Sequence, residues 1–151
     1  LYNDPVRQPE AEAELGATWV SLDELYARSD FISVNCALTE SSRHMIGREA
    51  IAKMKNTAVI VVSARGGIVD EAALYEALTT GKLGAAGLDV FEEEPVDPKA
   101  PLLQLENVAL SPHLGTSVQE TRVKMAVTAA EDVIRVLRDE APAYPLFKLS
   151  A

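Results

Sequence analysis

AVIVVSARGGIVDEAAL, residues 58–74, reads as a strand, a turn and the opening of a helix. The run Ala58 to Val62 is too short and too β-branched for a helix and is apolar on both faces, the pattern of a strand buried inside a parallel sheet. It breaks at Ser63-Ala64-Arg65-Gly66-Gly67. A helix starts after Asp70, a good N-cap, with Val69 and Leu74 placed as a hydrophobic staple and Gly81 closing the far end. Arg65 therefore stands between a buried strand and two glycines, at the carboxyl edge where open α/β sheets take their ligands.

Upstream, Leu1–Asp4 reads as the tail of a strand ending in an acid and followed by Pro5. A loop or short helix through Gln8–Leu15 leads to a second short strand, Ala17–Val20. Ser21 and Glu24 are spaced as a capping box for the next helix, with Val20 and Leu25 as its staple. Phe31–Val34 is a further buried strand, stopping at Asn35-Cys36-Ala37-Leu38-Thr39. A helix around Arg48–Met54 turns Ile51 and Met54 inward and ends in Lys55-Asn56-Thr57.

Downstream, Ala85–Phe91 is strand-like and breaks into Glu92-Glu93-Glu94-Pro95. The proline-rich loop through Pro101 is expected to be stiff and non-helical. Asn107–Leu110 is the last strand, ending at Ser111-Pro112-His113-Leu114-Gly115. Ser117 and Glu120 form a second capping-box pattern, opening the longest helix, to about Arg138. Its Val123, Ala126, Val127, Ala130, Ile134 and Leu137 recur at helical spacing. The tail Ala141–Ala151 is irregular.

Strands alternating with helices predict a parallel, doubly wound α/β sheet. All strand carboxyl ends of such a sheet share one edge, so Asp4, Cys36, Arg65, Asp89 and His113 are expected to gather there. That convergence is the functional signal. The bulk numbers narrow the rest. A formal charge of −9 over 151 residues argues against nucleic acid or an anionic membrane surface as partner, and no apolar run is long enough to cross a bilayer. The single cysteine excludes an internal disulfide framework and fits a reducing cytoplasm. One cysteine and two distant histidines do not make a metal site.

Several residues in this pattern can carry chemistry. A surface arginine usually does no more than pair with a nearby acid. Beside glycines that let a ligand approach, the planar fork of Arg65 is matched to a carboxylate. His113, at a strand end before a helix, is of the type that accepts and donates a proton near neutral pH. His44, in a polar segment, is read as a satisfied structural side chain. A run of glutamates is usually a solvated face, yet Pro95 fixes the backbone of Glu94 and makes it the best placed of the three to orient a histidine. Asp89 is equally a turn residue. Asp4 fits a plain strand-end cap or an acid gripping a ribose diol.

Taken in order, Ser29-Asp30-Phe31-Ile32-Ser33-Val34, Leu38-Thr39, Ala64-Arg65-Gly66-Gly67-Ile68-Val69-Asp70-Glu71, Gly87-Leu88-Asp89-Val90-Phe91, Glu94-Pro95 and Ser111-Pro112-His113-Leu114-Gly115 resemble the D-isomer-specific 2-hydroxyacid dehydrogenase family. The resemblance implies a Rossmann-like fold, NAD as cofactor, hydride transfer between nicotinamide and a small 2-oxo or 2-hydroxy acid of D configuration, and a homodimer. By position it makes Arg65 the clamp on the substrate carboxylate, His113 the proton donor and acceptor, and Glu94 the group that holds His113. It places Asp89 by the nicotinamide carboxamide and Asp4 on the adenosine ribose. Cys36, Ser63, Ala64 and Arg65 would lie along the cofactor, with His113, Gly115 and Thr116 also touching it. A carboxylate at Asp4 repels a 2′-phosphate, which favours NAD over NADP. Asn35-Cys36-Ala37 and Val62 stand where the family often has His and Pro, and Asn, so they bear on subfamily.

No G-x-G-x-x-G occurs, and in this family it precedes the strand that would end at Asp4. The expectation is a sheet lacking its glycine-loop strand, and a sequence that is the C-terminal part of a longer chain. Residues 1–140 would then be a partial dinucleotide-binding domain, and 141–151 a tail returning to a substrate domain. Two rivals accompany the enzyme reading: a non-catalytic dinucleotide-sensing or interaction module of corepressor type, and an inactive fragment of the dehydrogenase.

Overall fold

A computed structural model describes residues 1–145. Two compact units divide the chain, Leu1–His113 and Leu114–Ala151. The first holds the sheet. Its strands are β1 (Phe31–Val34), β2 (Val59–Val62), β3 (Ala85–Leu88) and β4 (Val108–Leu110), all parallel, in the order β1-β2-β3-β4. Ile32 stands opposite Ile60, Ile60 opposite Ala86, and Ala86 opposite Val108. The helices are α1 (Pro9–Leu15), α2 (Leu22–Arg28), α3 (Arg48–Lys53) and α4 (Glu71–Thr79), with a 3-10 turn at Pro101–Gln104. The expected parallel α/β sheet is present and its architecture is Rossmann-like.

One core organises the unit. Ile32, Val34, Ile60, Val62, Ala86 and Leu88 from the strands meet Tyr26 of α2, Ala50 and Ile51 of α3, and Ala73, Leu74, Ala77 and Leu78 of α4. Ile60 and Leu74 are wholly shielded from solvent. Truncating side chains so placed to alanine costs about 2–5 kcal/mol. The strand burial alternates, which corrects the expectation of strands apolar and buried on both faces. Val61 keeps 42% of its surface exposed and Phe31 78%. The pleat sends alternate residues to opposite sides, and α2 to α4 cover only the Ile32–Ile60–Ala86 side.

The cap of α4 forms as read: Asp70 accepts the N–H of Ala73 at 2.9 Å, and Val69 and Leu74 are both buried. Gly81 follows with a φ of +71°, the left-handed geometry that stops a helix. At α2 only half of the expected capping box is made. Ser21 accepts the N–H of Glu24 at 3.2 Å, while the Glu24 carboxylate pairs with Arg28 at 2.5 Å. An arginine one turn on outcompetes the Ser21 N–H.

Three other expectations shift. Leu1–Asp4 and Ala17–Val20 share one parallel bridge, Tyr2–Trp19, with the Asn3 amide donating to Val20 O and the Trp19 indole to Asp4 O, and neither joins the four-stranded sheet; a single bridge does not make a strand pair. β3 ends at Leu88, not Phe91, because its β4 partner ends at Leu110. The proline-rich loop runs into the 3-10 turn, whose first residue is Pro101, a position where a missing N–H costs nothing.

In the second unit, α5 spans Gln119–Leu137 with Val118 at its N-cap and no side-chain cap bond. The Ser117–Glu120 capping box is therefore not formed: Ser117 Oγ instead accepts from Arg122 Nη2 at 2.8 Å. None of the α5 residues is buried, including the apolar stripe. Asp132 accepts the N–H groups of Ala143 and Tyr144, fixing the start of the irregular tail. Residues 146–151 of that expected tail lie outside the described residues.

Tyr26 is 3% exposed and its hydroxyl has no hydrogen-bond partner among the described residues. Removing a stranded buried hydroxyl relieves a desolvation cost. The expected outcome for Tyr26→Phe is stability unchanged or raised by about 1 kcal/mol in urea unfolding. A clear loss of stability would mean that the hydroxyl is bonded.

Candidate active site

The carboxyl ends of the four strands open onto a common rim. β2 ends at Val62, and Ser63-Ala64-Arg65 turns away from it. β3 ends at Leu88, after which the N–H of Asp89 reaches Val62 O at 2.9 Å and keeps the two loops level. β4 ends at Leu110, and the N–H of His113 is held on Asp89 O at 2.8 Å. Ser111 Oγ donates to the Asp89 carboxylate. The strand-end rule thus brings Cys36, Arg65, Asp89 and His113 to one edge.

Glu94 joins this group from the β3–β4 loop. Its Oε1 accepts the N–H of Phe91 at 3.0 Å, and its Oε2 lies 2.8 Å from His113 Nδ1. The His113 hydrogen bond, then the Phe91 N–H, lower the Glu94 carboxyl below its ordinary range, and the charges of His113 and Arg65 act in the same direction. Arg65 is thus near enough for its charge to be felt at Glu94. An ionised carboxylate only accepts, so Nδ1 of His113 is the donor in this pair. The other ring nitrogen, Nε2, is left as the acceptor in the neutral ring and a donor in the charged one. His113 has a φ of +53°, an uncommon left-handed backbone for a residue other than glycine. Backbone and side-chain bonds together hold it there. Such strain gathers at functional positions.

Gly66 explains how closely the loops pass. A Cβ on it would stand 1.7 Å from the Phe91 carbonyl oxygen, so the loop carrying Glu94 lies directly on the backbone beside Arg65. The Arg65 guanidinium itself is exposed and donates to Ala64 O at 2.7 Å. Next to it a groove of about 610 Å³ is lined by Asn35, Cys36, Ala37, Leu38, Ser63, Ala64 and Arg65. Small side chains leave it open, and no carboxylate lines it to repel an anion. A volume of this order suits a cofactor-sized ligand, so these residues fit a nicotinamide nucleotide at the strand ends.

Asp4 belongs to the Tyr2–Trp19 pair outside the sheet, and its carboxylate accepts the N–H of Val6 at 2.8 Å, as a plain cap would. Gly115 and Thr116 belong to the second unit. His44 pairs with Glu92 at 3.1 Å, in keeping with its structural reading. Asn35, Ala37 and Leu38 were not singled out as site residues, although their place just after a strand was the available signal. Among the described residues, no group of His, Cys, Asp and Glu could hold a metal ion.

A parallel sheet with a histidine–glutamate pair and an arginine at its carboxyl rim is the form of an open α/β domain that takes its ligand at the strand ends. Residues 1–115 match the family model of the D-isomer specific 2-hydroxyacid dehydrogenase, NAD binding domain, and the chain belongs to that family. It is 49% identical over 142 residues to a glyoxylate reductase of Korarchaeum cryptofilum, covering 94% of this chain and 43% of that protein. Among solved structures, the holo form of Rhodotorula graminis D-mandelate dehydrogenase superposes with a TM-score of 0.92 at 36% identity, covering 99% of this chain and 44% of the other. The D-lactate dehydrogenase of Lactobacillus jensenii with NAD+ superposes with a TM-score of 0.87 at 30% identity, over 97% and 47%. The chain spans less than half the length of these relatives.

Proposed function

We propose that the protein is an NAD-dependent oxidoreductase that interconverts a small 2-oxo acid and its D-2-hydroxy acid, as the glyoxylate reductase and D-lactate dehydrogenase relatives are named for doing with theirs. The observation that carries this reading is the Glu94–His113 pair, 2.8 Å apart on the rim that also carries Arg65. A non-catalytic sensing module has no use for a histidine whose outer nitrogen is held ready for proton transfer. Glyoxylate and hydroxypyruvate are the first substrates to test, given the names of the relatives.

A nicotinamide held at the strand ends would supply the hydride that reduces the carbonyl carbon. The chain's residues do the rest. Arg65 turns its fork from Ala64 O to the substrate carboxylate, fixing the acid and drawing charge from the adjacent carbonyl. His113, protonated, gives its Nε2 proton to the carbonyl oxygen as that oxygen gains charge, and takes it back in the reverse direction. Reduction consumes one hydride and one proton per 2-oxo acid. Glu94 holds Nδ1 and stabilises the charged ring without itself giving up a proton. By the resemblance, Cys36, Ser63, Ala64, Arg65, Asp89, His113, Gly115 and Thr116 would hold the cofactor. The resemblance assigns the adenosine ribose to Asp4, and a homodimer to the assembled protein.

The test is the loss of NADH absorbance at 340 nm, a standard nicotinamide signal, with glyoxylate, hydroxypyruvate and pyruvate added to the protein at its natural length. Oxidation of NADH dependent on at least one of these acids is expected. NADH bound with no turnover on any of them would favour the sensing module.

A further inference from the structure

Glu94 must be kept in place if it is to hold His113, a requirement that rests on the role proposed above for that pair. Glu71 opens α4, with only the Asp70 cap between it and the Arg65–Val69 turn, and Glu92 lies two residues before Glu94. Their contacts are reciprocal. The N–H of Glu71 donates to Glu92 Oε1 at 2.9 Å, and the N–H of Glu92 donates to Glu71 Oε1 at 2.6 Å. Each carboxylate thus serves the other's backbone. His44 Nε2 adds a third contact, 3.1 Å from the same Oε1 of Glu92, and the N–H of His44 is bound to Gly67 O at 2.8 Å. One knot therefore joins the Arg65-Gly66-Gly67 turn, the first turn of α4, the His44 loop and the loop carrying Glu94.

Burial pushes the Glu71 carboxyl up, the N–H of Glu92 draws it partly back, and the charge of Glu92 raises it again. A pairing maintained against that cost, using two backbone N–H groups, looks like a fastening rather than a solvated charge run. A crevice that Glu71 shares with Arg65, Gly66, Gly67 and five apolar side chains measures about 10 Å³, room for about one water. We propose that Glu71 and Glu92 are positioning residues, a two-way clasp that sets Glu94, and through it His113, at its working distance from Arg65.

The clasp needs an acceptor oxygen, not a charge, so glutamine can replace glutamate where alanine cannot. In the natural-length protein, Glu71→Ala and Glu92→Ala are expected to lower kcat about tenfold, with NADH affinity within about twofold of wild type, because a displaced acid–base pair costs rate more than binding. Glu71→Gln and Glu92→Gln are expected to recover most of kcat. Amide hydrogen exchange gives a readout independent of turnover: Glu71→Ala should speed exchange at the Glu92 N–H, and Glu92→Ala at the Glu71 N–H. Alanine variants with wild-type kcat, glutamine variants as impaired as alanine, or unchanged exchange would each overturn the clasp. Glu94→Gln and His113→Ala, assayed alongside, separate the two levels. If they too keep full activity, the catalytic reading has failed; if they lose it while the alanine clasp variants do not, only the clasp has.

Discussion

His113→Ala is expected to lower kcat at least about a thousandfold with the best 2-oxo acid while leaving the NADH dissociation constant within about threefold. General acid–base catalysis by a positioned side chain contributes about 10²–10⁴ in rate, and the histidine supplies both proton directions. Arg65→Ala is expected to match that loss in kcat/KM, since it removes a two-pronged hold on a carboxylate along with its pull on the carbonyl. Arg65→Lys should recover little, because an ammonium lacks the fork. Steady-state kinetics with fluorescence titration of NADH separates rate from binding in each case. A variant at either position turning over near wild-type rate would show that its role is misassigned.

The pH behaviour follows from Glu94. Its carboxyl titrates below the ordinary range, held down first by the His113 hydrogen bond and next by the Phe91 N–H. A depressed acid contributes its stabilisation above the unfolded value and loses it as pH falls through the folded one. The Glu94–His113 pair should therefore remain intact through mildly acidic solution and break only below the usual carboxylate range.

Gly66→Ala is expected to be the most damaging change that removes no chemical group. The added methyl would sit 1.7 Å from Phe91 O, 2.1 Å from Phe91 C and 2.7 Å from Glu92 N. These are backbone atoms, which cannot rotate aside as a long side chain does. The loop must move, and it carries both the Phe91 N–H that Glu94 accepts and Glu94 itself. Forced overpacking costs about 1–3 kcal/mol of stability, and a misplacement of about 1 Å at a reacting pair can cost about a hundredfold in rate. Both losses are expected together, in urea unfolding and in kcat. Wild-type kcat in Gly66→Ala would mean that the loop does not ride on Gly66 during turnover.

The order of strands and helices was legible because it is written in short-range terms: apolar runs, a cap at Asp70, a stop at Gly81. Their convergence followed from parallel topology alone. Which strand faces are covered was not legible, because Val61 and Ile60 are equally apolar in sequence and differ only in what tertiary packing brings over them. Competition hid the capping details. Ser117 and Ser21 carry the right spacing, but Arg122 and Arg28 claim one partner in each box. The Leu1–Asp4 strand did not join the sheet, because a strand is defined by its neighbours, and its backbone pairing is the Tyr2–Trp19 bridge alone among the described residues. Glu92 was missed for the opposite reason: inside a run of acids, the one tied to Glu71 and His44 has no local mark to separate it from Glu93.

The arrangement of Arg65, Glu94 and His113 around one small acid is tested most directly by a crystal structure of the natural-length protein with NADH and oxamate, an unreactive analogue of a 2-oxo acid. The predicted result is the oxamate carboxylate on the Arg65 guanidinium, its carbonyl oxygen within hydrogen-bond reach of His113 Nε2, and Glu94 still on Nδ1. Oxamate bound away from Arg65, or His113 turned with Nε2 toward Glu94, would contradict it.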